Sequence, residues 1–332
     1  MMSGRRGVIS GIGMYAPEKE IPNSYFETLL GESVDEWLKE NLNIHNRRWC
    51  APDESTADLC EEATKETLKS AGLNATDLDL IIVSTDTPEF ISPSTASVLQ
   101  DRIGAKNAGT FDINTACAGF VTALDVAAKY LSADEQYKHI LVVGAYAMSK
   151  YLNMKDKKTV TLFADGAGAV ILSADNNTDR GFLTSELTTE GQYNGWMGIY
   201  GGATNRPISE EVLKNNDHQL KFVHKFPKEI NPETWTKMTH SMCRKLGIEP
   251  DEVDQYILTQ LNINSIYETM DNLKVSRNKS HTIMKDYGYT GSACIPMALC
   301  DAVQTGKVKE NDLLFLIGSG GGLAFASAAI KF

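Results

Sequence analysis

Lys69-Ser70-Ala71-Gly72-Leu73-Asn74-Ala75-Thr76-Asp77-Leu78-Asp79-Leu80-Ile81-Ile82-Val83-Ser84 is answered 175 positions later by Arg244-Lys245-Leu246-Gly247-Ile248-Glu249-Pro250-Asp251-Glu252-Val253-Asp254-Gln255-Tyr256-Ile257-Leu258-Thr259. Each stretch reads as a helix end, a turn opened by glycine, and an apolar strand. The same offset sets Asp112-Ile113-Asn114-Thr115-Ala116-Cys117-Ala118-Gly119-Phe120 against a segment around Tyr289-Thr290-Gly291-Ser292-Ala293-Cys294, with Ala298-Leu299 over Ala123-Leu124. A third pair, His139–Gly144 and Asp312–Gly318, is offset by 174. Three matches in one order imply two copies of one α/β unit, residues 1–175 and 176–332. Apolar strands alternating with amphipathic helices in each copy predict sheets covered by helices. The stretch from Gly181 to about Trp235, rich in Gly, Asn, Pro and charge, departs from this pattern and reads as irregular surface able to line an entrance.

The 332 residues are 42% hydrophobic and 23% charged, which suits a globular chain with a substantial core. Forty-three acidic against 32 basic residues give a net charge of −11, arguing against nucleic acid or an anionic membrane as the main partner. Cys50, Cys60, Cys117, Cys243, Cys294 and Cys300 are scattered and form no C-x-x-C pair, so neither a disulfide framework nor a zinc site is expected. A reducing cytoplasm is the expected compartment. The start, Met1-Met2-Ser3-Gly4-Arg5-Arg6 followed by Gly7–Gly13, is too short and glycine-broken for a signal peptide and reads as a first strand. No run is long enough to span a bilayer.

Cys117 stands where a strand-like run ends on small residues and a helix begins, with Phe120, Val121, Leu124, Val126, Ala127 and Leu131 at helical spacing. A thiol in a first helical turn faces unpaired backbone N–H groups and the positive end of the macrodipole, which favour the thiolate. Taken alone, the segment also fits a small buried cysteine filling a tight junction.

The duplication, the Cys117 segment, Phe163-Ala164-Asp165-Gly166-Ala167-Gly168-Ala169-Val170, Gly318-Ser319-Gly320-Gly321-Gly322, Asp35-Glu36-Trp37, Gly104 and the closing strand to Phe332 together resemble the β-ketoacyl-acyl-carrier-protein synthase III family of the thiolase superfamily. The resemblance covers essentially the whole chain. It implies an α/β, thiolase-like fold, the duplicated unit arranged in five α-β-α-β-α layers. It also implies that Cys117 takes an acyl group from a coenzyme A or acyl-carrier-protein thioester, that no resident cofactor is needed, and that the chain forms a homodimer. The backbone N–H groups of Cys117 and Gly321 would form the oxyanion hole, glycine allowing close approach to the developing charge. Read instead as a dinucleotide fingerprint, the glycine run fails, because Leu323 stands where G-x-G-x-x-G needs glycine. A plain tight turn is the other reading. Asp165-Gly166-Ala167-Gly168 reads as packing and turn geometry.

Two family positions are changed. Thr259 replaces histidine in Leu258-Thr259-Gln260-Leu261-Asn262, where the family has Pro-His-Gln-Ala-Asn, and Tyr289 replaces asparagine in Tyr287-Gly288-Tyr289-Thr290-Gly291. Both hydroxyls can donate hydrogen bonds, but neither can take a proton near neutral pH as imidazole does. His281 lies on an apparent strand, eight residues before Tyr289 and roughly 26 Å away along it. His218 and His224, in the irregular stretch, are the better outside candidates for a base. Trp37 stands where the family stacks an adenine, or it packs in a core or dimer contact. The two arginines that would help hold coenzyme A are replaced by Asn41 and Asn264, which favours a carrier-protein donor.

The expected function is acyl transfer through an acyl-cysteine in fatty-acid-like or secondary-metabolite biosynthesis. Thr259, Tyr289, Gln260 and Asn262 would line the site and orient a small-molecule or carrier-bound acceptor. The alternatives are a decarboxylating condensing enzyme using Thr259 and Tyr289 as donors, and a non-catalytic partner subunit of another synthase.

Overall fold

The computed structural model describes residues 4–332, so Met1, Met2 and Ser3 of the leader-like start lie outside it. Strands β1 (Arg6–Tyr15), β2 (Leu80–Ser84), β3 (Gly109–Ile113), β4 (His139–Ala147) and β5 (Asp165–Asp175) form one sheet in the order β1-β5-β4-β2-β3. Strands β6 (Gly181–Thr189), β7 (Gln255–Leu258), β8 (Leu313–Gly320) and β9 (Ala324–Lys331) form a second in the order β7-β8-β9-β6. Every residue of β2 is buried, as a central strand covered on both faces requires.

Six helices position the site: α1 (Asp35–Leu42), α2 (Thr56–Ala71), α3 (Gly119–Ala133), α4 (Ile230–Leu246), α5 (Ile263–Asn272) and α6 (Cys294–Gln304). Helix α2 covers the outer face of the first sheet and α4 that of the second, while α3 and α6 lie between the sheets. That stacking is the five-layered, thiolase-like arrangement. The turns between helix and strand follow from local sequence. Ser55 and Asp58 cap α2 reciprocally, and α2 and α4 both end on left-handed glycines, Gly72 (φ 66°) and Gly247 (φ 71°).

The repeat is visible in register. Leu80 pairs with Ile140 in parallel in the first sheet, and Gln255 pairs with Leu314 at the matching position of the second. Two 3₁₀ turns, Ala116–Ala118 and Gly291–Ala293, fall at equivalent positions and pack on each other between the sheets. The copies interlock through glycines. A methyl group at Gly144 would lie 2.4 Å from the Ser292 carbonyl oxygen, and one at its repeat mate Gly318 would lie 2.9 Å from the Ala118 Cα.

Two sequence expectations are corrected. No strand runs over 281–289, because Met284–Tyr287 is a short helix and the second copy has no counterpart of β3. The Gln260 side chain takes the backbone groups a strand would use there, donating to His281 O at 3.2 Å and accepting from Ile283 N at 3.0 Å. The stretch 181–235 is also regular at both ends. Residues 181–189 are β6, an edge strand whose mixed polar composition hides its period, and α4 begins at Ile230.

Interlocking by glycine is testable by enlarging one contact. Gly168 in β5 would place a Cβ 2.7 Å from the Met297 nitrogen on α6. Gly168→Ala is expected to destabilise the fold by about 1–3 kcal/mol, read from the denaturant midpoint. Gly191→Ala, where a Cβ meets nothing within 4 Å, is the control and should stay within about 0.5 kcal/mol.

Candidate active site

Strand β3 ends at Ile113, and Asn114 turns the chain by accepting the Ala116 N–H on its side-chain oxygen at 3.1 Å. Ala116 then adopts φ 47°, a left-handed conformation that costs a non-glycine residue on the order of 1 kcal/mol. Cys117 follows inside the 3₁₀ turn, 3% exposed, and α3 starts two residues later. The end of β8 closes over it. A Cβ at Gly320 would lie 2.4 Å from the Cys117 nitrogen, so only glycine permits this approach. Gly321, next in the chain, is half-buried and lies beneath the Met197 carbonyl of the segment 190–229, with 3.4 Å between that oxygen and a Cβ built there.

The expectation that the helix start would favour a Cys117 thiolate is corrected. Burial pushes the thiol well above its ordinary value, and the Asp86 carboxylate and Cys294 push the same way. The Tyr289 side chain and the backbone N–H of Cys117 pull it down by less. Removing water from the thiolate costs more than the turn returns.

The four second-copy positions divide. Tyr289 is buried, its hydroxyl turned toward the Cys117 sulfur within reach as a donor. It is held by backbone bonds from Tyr289 N to Leu162 O (3.0 Å) and from Ala164 N to Tyr289 O (2.9 Å). Its ring packs on Phe163 at 5.4 Å. Thr259 is also buried, but its hydroxyl accepts the Ser319 N–H at 2.8 Å and donates back to Ser319 O at 3.4 Å. It braces the glycine end of β8. Gln260, expected to touch substrate, is fully buried with its amide committed to Leu258, His281 and Ile283. A buried amide must be satisfied, and here the fold satisfies it. Asn262, also expected at the substrate, caps α5 by accepting from Asn264 N at 2.9 Å.

Residues 111–191 match the family of 3-oxoacyl-(acyl-carrier-protein) synthase III, and residues 243–332 match its C-terminal part. The chain is 35% identical over 324 residues to beta-ketoacyl-(acyl-carrier-protein) synthase III of Staphylococcus haemolyticus, covering 98% of each. It belongs to the β-ketoacyl-acyl-carrier-protein synthase III family. The synthase of the same name from Clostridium perfringens is 36% identical over 326 residues, 97% of this chain and 98% of that protein. The crystal structure of the synthase III of Aquifex aeolicus superposes with a TM-score of 0.88 at 30% identity, over 98% of this chain and 100% of that one.

Within this synthase III family member, the histidines expected as outside bases have other neighbours. His281 binds Asp301 through Nε2 at 2.6 Å, and His224 packs edge-on against Trp196 at 5.4 Å. His218 adjoins Asp217, whose charge is shared with Arg206 and Lys221. The groups that chiefly perturb Cys117 include no histidine. Trp37 is 55% exposed on α1, which excludes a core role within the chain. Asn264 donates to Asn41 O at 2.9 Å and Asn41 to Trp37 O at 3.0 Å, so the two asparagines tie α5 to α1 beneath that tryptophan. Lys39, the cation on α1, is paired with Asp35 at 2.6 Å.

Three residues at the site went unread in the sequence. Ser292 is the repeat mate of Cys117, and its hydroxyl donates to Ala116 O at 3.1 Å. Cys294 is buried close enough to bear on Cys117, its own thiol pushed up to about 12 by burial. Asp86 follows the end of β2, where the carboxyl ends of parallel strands gather ligand groups. That position was its available signal.

Two outcomes follow from this geometry. Because burial holds the Cys117 thiol high, its alkylation by iodoacetamide, followed by peptide mass spectrometry, should rise about tenfold per pH unit from about pH 7 to pH 9 without a plateau. Thr259→Val leaves the buried Ser319 N–H without its acceptor and should cost about 1–3 kcal/mol in denaturant unfolding.

Proposed function

We propose that this chain transfers acyl groups through a thioester on Cys117. The supporting observation is the buried Cys117 turn, its backbone nitrogen held against the glycine end of β8, on a chain related to synthase III enzymes along its full length. In the first half-reaction the Cys117 sulfur attacks the donor carbonyl and the donor thiol leaves; in the second, an acceptor attacks the acyl-cysteine and the Cys117 thiolate leaves. The backbone N–H groups of Cys117 and Gly321 stabilise the oxyanion in both steps. Tyr289 donates its hydroxyl hydrogen bond toward the sulfur and the reacting carbonyl. Thr259 and Gln260, buried and bonded to the framework, hold it in place, and Asn262 lines the site beside them.

The donor in this reading is an acyl-carrier-protein thioester. Replacement of the two arginines by Asn41 and Asn264, with Lys39 already paired, weakens phosphate contacts for free coenzyme A, while exposed Trp37 leaves a flat apolar face at the same place. The acceptor brings an amine, a hydroxyl or an activated carbon. The enzyme acts as a homodimer in the cytoplasm, in fatty-acid-like or secondary-metabolite biosynthesis. Among the described residues no helix is long and apolar enough to cross a membrane, and all six cysteines are free.

A second reading, decarboxylating condensation with a malonyl thioester, is favoured by Tyr289, a hydroxyl donor in the position of the family's asparagine. CO2 release from malonyl-acyl-carrier protein separates the two. Release that falls about 10²–10³-fold in Tyr289→Phe is the result of condensation, and no release with competent acyl donors leaves transfer to a non-malonyl acceptor. Intact mass after incubation with acyl-carrier-protein and coenzyme A thioesters tests both. The native chain should gain one acyl group and Cys117→Ala none. No gain, or a gain that persists in Cys117→Ala, overturns acyl transfer and leaves a non-catalytic partner subunit.

A further inference from the structure

We propose that Asp86, placed beside Cys117 at the carboxyl end of β2, is the proton acceptor of this site, taking the role that Thr259 vacates. This rests on the acyl-transfer reading and adds the base that reading lacks. Asp86 belongs to the first copy, and its one side-chain hydrogen bond comes from the second, the Ser292 hydroxyl at 3.5 Å. The single proton of that hydroxyl is shared with the carbonyl oxygen of Ala116, the residue before the nucleophile, which at 3.1 Å is the nearer acceptor. Ser292 thus links the carboxylate to the Cys117 turn.

The carboxyl is also unpaired where pairing is the rule. Ionised side chains withdrawn from water are ordinarily matched by a cation, because an isolated buried charge is strongly destabilising. No cationic group among the described residues offsets Asp86. The groups that feel its charge are Cys117 in the 3₁₀ turn, Tyr146 on β4 and Tyr151 in the turn after it; Cys294 on α6 and Tyr289 complete the cluster around Cys117. All are neutral near pH 7. Asp86 is half-buried, and desolvation pushes its pKa up to about 6. A base with that value is ionised at neutral pH and still basic enough to hold a proton in passing.

Protons balance through both half-reactions. As Cys117 sulfur bonds to the donor carbonyl, its proton passes to the Asp86 carboxylate; the donor carbon–sulfur bond breaks and the leaving thiolate takes that proton. The acceptor then gives its N–H or O–H proton to Asp86 as it bonds to the acyl carbon. The Cys117 carbon–sulfur bond breaks, and the protonated Asp86 returns the proton to the Cys117 thiolate. The enzyme ends as it began.

Single-turnover acylation of the full-length chain by acetyl-, butyryl- and octanoyl-thioesters of acyl-carrier protein and coenzyme A, read by intact mass across pH, tests this. The native rate should rise through about pH 6 as the carboxylate forms. Asp86→Asn should lose that inflection and at least about tenfold of the rate at neutral pH, with partial recovery in Asp86→Glu. Iodoacetamide alkylation of Cys117 supplies the opposite sign: Asp86→Asn removes a neighbouring negative charge, so the thiol ionises more readily and alkylation should speed up. Slower acylation with faster alkylation is the result expected of a base. An unchanged acylation profile in Asp86→Asn, or a parallel fall in both reactions, overturns the role of Asp86 while leaving acyl transfer standing. No acylation of the native chain by any of these thioesters overturns the acyl-transfer reading and the base together.

Discussion

Gly144 and Gly318 occupy one position in two copies of the same unit, and each receives the backbone of the other copy's 3₁₀ turn. The rest of the molecule is built around this reciprocal contact. It fixes how far apart the two sheets stand, because α3 and α6 begin at those turns and fill the layer between them. Any side chain at either glycine would push turn and sheet apart. Close packing leaves no slack to absorb the shift.

From this symmetric scaffold the site is made by a difference in volume. Ala116 and Gly291 are repeat mates with nearly the same backbone angle, φ 47° and 45°. Ala116 faces Gly320, where a Cβ would lie 2.9 Å from its own, whereas Gly291 faces Tyr146, whose ring comes within 2.3 Å of where a Cβ would be. The Tyr146 ring covers one turn, and the backbone at Gly320 covers the other. Cys117 follows the turn residue under Gly320 and Ser292 the one under Tyr146, and the second copy supplies Tyr289, Ser292 and the bracing Thr259 around Cys117.

Burial then sets the chemistry. The enclosure that brings Cys117, Tyr289 and the glycine turn together also withdraws the thiol from water and raises its pKa. A histidine would relieve this by accepting the proton. Among the groups that bear on Cys117, Asp86 is the carboxylate, and its own raised pKa of about 6 comes from the same loss of water.

The sequence determined the fold class, because it rests on local signals: strand and helix periodicity, the capping glycines at 72 and 247, and a strand-to-helix junction at Cys117. It also exposed the threonine and tyrosine substitutions. Side-chain destinations were not legible. Gln260 and Asn262 lie in the motif that marks the site, yet their amides serve the 281–283 segment and the start of α5. In place of the strand expected before Tyr289 there is a short helix, and the Gln260 side chain takes the backbone groups of 281 and 283 that a strand would use. Asp86 and Ser292 lie 206 residues apart, and Asp86 carried no motif. Only the tertiary structure could join them, since their meeting depends on two sheets closing on a shared helical layer, and burial, which set both the thiol and the carboxyl, is a property of that closure rather than of any segment.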